Sequence, residues 1–308
     1  MVVTHGSLQP ARGRCALTIG NFDGVHRGHR ALIDRVTAKA CELKLGSCVL
    51  TFEPHPREFF AAAAAPARLT RLRDKLELLA AAGVQRVHIA RFDARFAALS
   101  AARFVDGVLV AGLGAAWLLV GRDFRFGERR SGDFATLEAA AARHGFTLES
   151  MADVRLGSER VSSSAIRAAL AAADFALAAR LLGHPYTISG RVVHGSKLGR
   201  ALGFPTANII LRRPPPLAGI YVVEVEGLEG GPRAGVASVG RRPTVNPVAN
   251  PLLEAHLFEQ EENLYGRHLK VRFLEKLRDE QKFDGLEALR NAIARDADQA
   301  RQYFARHG

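Results

Sequence analysis

Gly20-Asn21-Phe22-Asp23-Gly24-Val25-His26-Arg27-Gly28-His29 follows the apolar run Ala16-Leu17-Thr18-Ile19 and precedes a segment that places Leu32, Val36, Ala40 and Leu43 on one helical face. Strand, glycine-rich turn and helix in that order form a phosphate cradle. Backbone amides point outward at the helix start, and glycines remove side chains that would block close approach. Gly20, Gly24 and Gly28 supply the glycines, while Asn21, Phe22 and Asp23 fill the turn. His26 and His29 lie three apart, so in a first helical turn both can face one phosphate and stabilise charge on a leaving pyrophosphate. The bland alternative for an isolated His-x-x-His is one histidine that caps the helix and one that is solvated.

Outward from this turn, strand-like runs recur at Ser47 to Phe52, Val84 to Ile89, Ala116 to Val120 and Phe146 to Ser150, with helical patterns between them such as Leu72, Leu76 and Leu79. That alternation predicts a parallel sheet wrapped by helices. Ala61 to Ala65 reads as a loop or helix end. After Leu181-Leu182-Gly183 the pattern changes: Tyr186 to His194, Gly219 to Glu226, Ala234 to Val239, Leu253 to Glu259 and His268 to Leu274 are strand-like and separated by Gly- and Pro-rich turns. Short connections suit antiparallel pairing, so this half is expected to be a small all-β barrel or sandwich. Gly285 to Arg306 closes the chain as a helix with Leu286, Leu289, Ile293 and Ala297 on one face. The predicted division is an α/β, Rossmann-like domain over 1–183 and an all-β domain with a C-terminal helix over 184–308; 308 residues that are 48% hydrophobic supply both cores.

The net charge of +12 permits an acidic partner. The arginines are scattered among Ala-rich segments, however, and aromatic and basic residues do not interleave on the strands, so nucleic acid is not expected as a partner. No run is long and uncharged enough to span a bilayer, and Met1 to Pro10 lacks a signal-peptide pattern, so a cytoplasmic location without membrane contact is expected. Cys15, Cys41 and Cys48 are odd in number and outside any Cys-x-x-Cys spacing, and read as small core hydrophobes.

Other segments add chemistry. Phe124 and Phe126 flank Arg125 just after a predicted strand, where open α/β sheets bind ligands, and can line a pocket for a flat ring or else fill the core. Asp123 beside them can anchor adenine or a water near a metal. Ser162, Ser163 and Ser164 precede an apolar helix and read both as an N-cap and as an anion site, with Arg167 one turn in and able to reach the phosphates of His26 and His29. By spacing alone the glycine-punctuated region from Gly190 to Asn208 reads as a flexible loop between strands, and the Gly-x-x-x-x-Gly-Lys-Ser/Thr phosphate loop is absent. Glu254 sits on the polar face of an alternating strand.

The segment Gly20 to His29 resembles the His-x-Gly-His signature of nucleotidylyltransferases. Three further motifs follow in order: Thr51-Phe52-Glu53-Pro54-His55-Pro56, Val120-Gly121-Arg122-Asp123-Phe124-Arg125-Phe126-Gly127 and Ser162-Ser163-Ser164-Ala165-Ile166-Arg167. With them the chain resembles the prokaryotic bifunctional riboflavin kinase/FMN adenylyltransferase family, also called FAD synthetases. The resemblance implies an α/β nucleotidylyltransferase domain followed by a β-barrel riboflavin kinase domain, with ATP, riboflavin and FMN as substrates. It further implies charge stabilisation by His26, His29 and Arg167, nucleotide binding by the glycine turn and Ser162 to Ser164, and flavin contacts from Phe52, Pro54, Asp123, Phe124 and Phe126. In the second half, Pro205-Thr206-Ala207-Asn208 resembles the kinase motif whose Thr and Asn hold Mg²⁺ with the ATP phosphates; alternating on a strand, the two side chains would face one side and could share that cation, or else satisfy local backbone. Gly195 and Gly203 fall on the nucleotide side, Glu254 resembles the catalytic base, and Arg278 lies toward the flavin. Two departures stand out: Ser238 where the family usually has Asn, and Glu259-Gln260 for the common Asp-Phe. They leave open a single-activity adenylyltransferase whose β half senses flavin. A basic nucleic-acid-binding protein is the other competing class. Oligomeric state stays open.

Overall fold

β1 (Val2–His5), β2 (Cys15–Ile19), β3 (Gly46–Glu53), β4 (Arg86–Arg91), β5 (Ala115–Gly121) and β6 (Thr147–Met151) form an all-parallel sheet in the order β1-β4-β3-β2-β5-β6. The structure, a computed structural model, describes residues 1–6, 9–11, 13–195, 198–240, 251–259 and 263–307. Crossovers run through helices, among them α1 (Arg27–Glu42), α2 (Pro56–Phe60), α3 (Leu72–Ala81), α4 (Ala94–Ala97), α5 (Ala101–Arg103), a π-helix over Phe104–Gly112 and α6 (Phe134–His144). β2 and β3 are buried along almost their whole length, as strands covered on both faces must be.

The strand order places the decisive turn. From β2 the chain steps outward through β3 and β4, then returns to lay β5 on the other side of β2. β2 therefore flanks the point where the strand order reverses. Open α/β sheets bind ligands there, outside the carboxyl ends of the strands.

Local differences from the sequence pattern have physical causes. β1 carries no burial signal because all four of its residues are exposed on a sheet edge. The buried face of α1 is Ile33, Val36 and Ala40, while Leu43 is its exposed C-cap. Cys15 and Cys48 are buried as expected, but Cys41 is exposed.

The chain divides into two compact units, Met1–Pro66 with Leu72–Ser162, and Ala67–Arg71 with Ser163–Gly308. They part at Ser162, upstream of the Gly183 suggested by the pattern change. After a small hairpin, β7 (Arg155–Leu156) and β8 (Glu159–Arg160), come α7 (Ser163–Ala171) and α8 (Phe175–Leu182). Phe175 of α8 packs edge-on to Tyr221 at 5.9 Å and stacks on Phe273 at 6.3 Å. Both partners belong to the second unit.

That unit is built on β9 (Thr187–Arg191), β10 (Ala207–Ile210), β11 (Gly219–Glu226), β12 (Arg233–Gly240), β13 (Leu252–Leu257) and β14 (His268–Arg278), antiparallel throughout in the order β10-β13-β12-β11-β14-β9. A bridge between Val193 and Asn208 brings the two edges together and closes the barrel. The short α9 (Leu198–Ala201) lies in the loop between β9 and β10, and α10 (Leu286–His307) ends the chain. Of the stripe predicted for α10, Ala297 alone is fully buried and Leu286 is 59% exposed. The helix instead packs Ala297 and Ala300 against Val222 and Val236, with Tyr303 and Phe304 beside them. Small side chains let the helix axis come close to the sheet.

Candidate functional site

The turn after β2 is strained where it turns. Phe22 (φ 49) and Val25 (φ 40) hold left-handed backbone that side-chain-bearing residues rarely adopt, and Gly24 (φ 88) lies between them. Both strained residues are buried, and Phe22 is wholly enclosed. Core packing of the two side chains is what maintains the unfavourable backbone. Gly20 and Gly28 make room for neighbours: a Cβ on Gly20 would lie 3.1 Å from the Phe22 ring, and one on Gly28 would lie 3.2 Å from the His26 ring.

His26 is the N-cap of α1, and its Nδ1 accepts a hydrogen bond from the His29 amide at 3.3 Å. Accepting at Nδ1 fixes the tautomer, so the proton sits on Nε2 and that atom is a donor. The two imidazoles stack at 3.6 Å with an interplanar angle of 15°, and Phe22 covers His29 from 5.0 Å. Burial first, then the charges of His26 and of the buried Lys75, hold the His29 pKa well below its ordinary value. His29 is neutral at pH 7. Among the described residues, the buried polar atoms Thr18 Oγ1, Asn21 Oδ1 and His29 Nδ1 of this region find no hydrogen-bond partner. Buried groups are seldom left so unless a ligand or water completes them.

Asp23 is buried. Around the same strand ends, Phe52, next to the last residue of β3, packs edge-on to Phe92 at 5.9 Å and Phe96 at 5.8 Å, and Glu53 ends the strand in a cis peptide bond to Pro54. Phe124 and Phe126 stack at 5.5 Å beyond β5. Phe126 is a buried core member, so of the two rings only the partly buried Phe124 offers a surface. Asp123 is exposed and pairs with Arg160 at 3.3 Å. Of the three serines expected ahead of the helix, Ser162 directly precedes α7, while Ser163 and Ser164 are its first two residues. Arg167 folds in the second unit, where its Nε donates to the Ala67 carbonyl at 2.5 Å.

In the second unit the register brings distant residues into one row. Asn208 lies opposite Glu254, Glu254 opposite Ser238, Ser238 opposite Ile220, and Ile220 opposite Arg278. Directly opposed residues share a sheet face, with Cβ atoms about 4.5–5.5 Å apart. Thr206 immediately precedes β10, and the Asn208 Nδ2 donates to its carbonyl at 3.1 Å and approaches its Oγ1 at 3.5 Å, so both side chains lie on one side as predicted. Asn208 Oδ1 is buried without a hydrogen-bond partner among the described residues. A Cβ on Gly195 would stand 2.6 Å from that oxygen, so this glycine leaves the space around it open. Gly203 holds a left-handed φ of 91° in the tight turn after α9. An uncommitted amide oxygen beside a hydroxyl is a donor set for a hard, oxygen-seeking cation. Among the described residues no cluster of His, Cys, Asp and Glu suits a metal.

Arg278, expected toward the flavin, has its guanidinium engaged. It holds the buried Asp296 of α10 with two bonds, 2.8 Å and 2.6 Å, and lies 5.6 Å from the Phe283 ring. Asp296 escaped the sequence pattern because an acidic residue on a helix normally marks the solvated face. Burial, then the charge of Glu254, pushes the Glu280 carboxyl above its usual range. Gln260 and the stretch from Arg241 to Val245 lie outside the described residues.

A parallel sheet with a capping, stacked histidine pair at its switch point, together with a barrel carrying a cation-ready oxygen pair across from a carboxylate, defines a two-domain nucleotide-dependent transferase. A family model described as FAD synthetase matches residues 8–165, and one described as riboflavin kinase matches residues 182–304. The bifunctional riboflavin kinase/FMN adenylyltransferase of Escherichia coli K12 is 50% identical, over 97% of this chain and 96% of the relative. That of Pseudomonas fluorescens is 51% identical, over 97% and 96%. A crystal structure titled as a macrolide-efflux protein from Streptococcus pneumoniae superposes with a TM-score of 0.78 at 26% identity, covering 98% of this chain and 99% of its own. Among the described residues no helix is long and apolar enough to cross a membrane. The chain belongs to the family of bifunctional riboflavin kinases/FMN adenylyltransferases.

Proposed function

We propose that the chain makes FAD in two steps: the barrel transfers the γ-phosphoryl group of ATP to riboflavin, and the α/β unit then transfers AMP from a second ATP to the resulting FMN. The observation that carries the kinase half is Asn208 Oδ1, buried, without a hydrogen-bond partner among the described residues, on a residue directly across from Glu254. The departure at Ser238 falls in the same row but leaves that pair intact, which favours a kinase over a flavin sensor.

In phosphorylation, Glu254 accepts the proton of the riboflavin hydroxyl as its oxygen attacks the γ-phosphorus and the bond to ADP breaks. Thr206 Oγ1 and Asn208 Oδ1 are the residues that would hold Mg²⁺, which when bound neutralises phosphate charge. In adenylylation, an FMN phosphate oxygen attacks the α-phosphorus and pyrophosphate leaves. Negative charge grows on the departing oxygen. His26 Nε2–H donates to it, and the neutral His29 ring stacked at 3.6 Å holds the His26 imidazole in place. Dependence on ATP supports a cytoplasmic place for both reactions.

Chromatography of flavins from the purified protein with riboflavin, ATP and Mg²⁺ tests the reading: FMN should rise first and FAD follow. FAD made from added FMN, with no FMN made from riboflavin, would contradict the kinase half.

A further inference from the structure

Ala67–Arg71 lies inside the stretch matched by the FAD synthetase family model, yet it folds with the unit that holds the barrel. Arg71 ends this strap. Its Nη1 donates to the Ser189 carbonyl at 2.5 Å and its Nη2 to the Ile210 carbonyl at 2.9 Å. Ser189 belongs to β9 and Ile210 to β10, the two edges of the six-stranded sheet. Val193 and Asn208 join the same two edges, the Val193 amide donating to the Asn208 carbonyl at 2.8 Å. Among the described residues that bridge is isolated, so where the edges run on past it their carbonyls turn to the guanidinium.

The chemistry suits arginine. Its planar fork carries several donors at fixed angles and can bond two carbonyls of different strands at once, which a single ammonium does poorly. Gly190 fits the same arrangement: a Cβ there would lie 2.5 Å from Arg71 Nη1 and would also clash with Ile209 Cγ2. At its other end the strap is held through Ala67, whose carbonyl accepts from Arg167 Nε at 2.5 Å.

β10 spans only Ala207–Ile210, and it carries Asn208 into register with Glu254. Its other side is secured by Val193 and by Arg71. We infer that Arg71 is a positioning residue for riboflavin phosphorylation: by bridging β9 to β10 it fixes the strand that presents Asn208 Oδ1 to the cation. The inference rests on the kinase reading above. It also means that the barrel is completed by a segment contributed from far upstream, so residues 184–308 alone lack the bridge.

The test uses the full chain and compares wild type with Arg71→Ala, Arg71→Lys and Gly190→Ala. Three quantities are measured: the Mg²⁺ dependence of riboflavin phosphorylation, FAD formation from added FMN, and amide hydrogen exchange in peptides covering 187–193 and 207–210. Arg71→Ala should raise the Mg²⁺ needed for half-maximal phosphorylation by about tenfold, as loss of a group that orients a ligand typically does. It should also speed exchange in both peptides and leave FAD formation from FMN unchanged. Arg71→Lys should fall between, and Gly190→Ala should follow Arg71→Ala. An unchanged Mg²⁺ dependence in Arg71→Ala, or an equal loss of both activities, overturns the inference. If the wild type makes no FMN, the kinase reading fails and the inference fails with it; if it does and Arg71→Ala behaves as wild type, only the inference fails.

Discussion

The two candidate sites are assembled in opposite ways. In the first unit the histidines, the strained turn and the glycines that accommodate them all come from ten consecutive residues, Gly20 to His29. In the second, Asn208, Glu254, Ser238 and Arg278 come from four different strands and meet only because the antiparallel register aligns them in one row. A contiguous site depends on local geometry, so its failures should be chemical and confined. A row across a barrel depends on every strand between, so structural changes far from the chemistry should reach it.

The largest expected effect breaks the first site alone. His26→Ala with His29→Ala should lower FAD formation from FMN by at least about 10³-fold, since removing even one preorganised donor to developing charge costs roughly 10²–10³. FMN formation from riboflavin should persist in the same assay. Glu254→Gln is the mirror image. It keeps the shape of the side chain and removes the base, so phosphorylation should fall by about 10²-fold or more while added FMN still becomes FAD.

The third change sharpens the contrast through stability. Asp296 is buried and holds Arg278 at the end of the row. Asp296→Ala leaves a partly buried guanidinium without its partner and should destabilise the second unit by about 3 kcal/mol. Thermal unfolding followed together with both activities should show phosphorylation lost at a lower temperature than adenylylation. Simultaneous loss would mean that the two units unfold as one.

The smallest effect is on pH. The folded-state pKa of His29 lies well below the ordinary 6.5, chiefly because burial disfavours the imidazolium. The unfolded chain therefore takes up a proton near pH 6.5 that the folded chain refuses. The stability tied to a neutral His29 is complete above that pH and declines as the pH falls below it. His29→Asn should flatten the dependence of the first unit's melting temperature between pH 7 and pH 5, as read by calorimetry.

The same contrast explains what the sequence could reveal. The parallel sheet was legible because buried strands read as apolar runs, and the Gly20 to His29 turn because strand, glycines and helix follow one another without a gap. His26 does cap the helix, as the bland alternative for such a pair has it, and the cap uses Nδ1, leaving Nε2 for the role proposed above. The row in the barrel was not legible from spacing, because register is a property of strand pairing, and only resemblance pointed to Thr206, Asn208 and Glu254. Arg71 and Asp296 gave no signal at all. One bonds to backbone carbonyls, which no side-chain pattern encodes, and the other sits at a helix position where an acidic residue normally signals solvent.

Mixing the two inactive variants tests the central claim most directly. The His26→Ala/His29→Ala protein and the Glu254→Gln protein, each unable alone to take riboflavin to FAD, should together restore FAD formation, because FMN released by the first is substrate for the second. Persistent absence of FAD from the mixture, with FMN present, would contradict two separable sites on one chain.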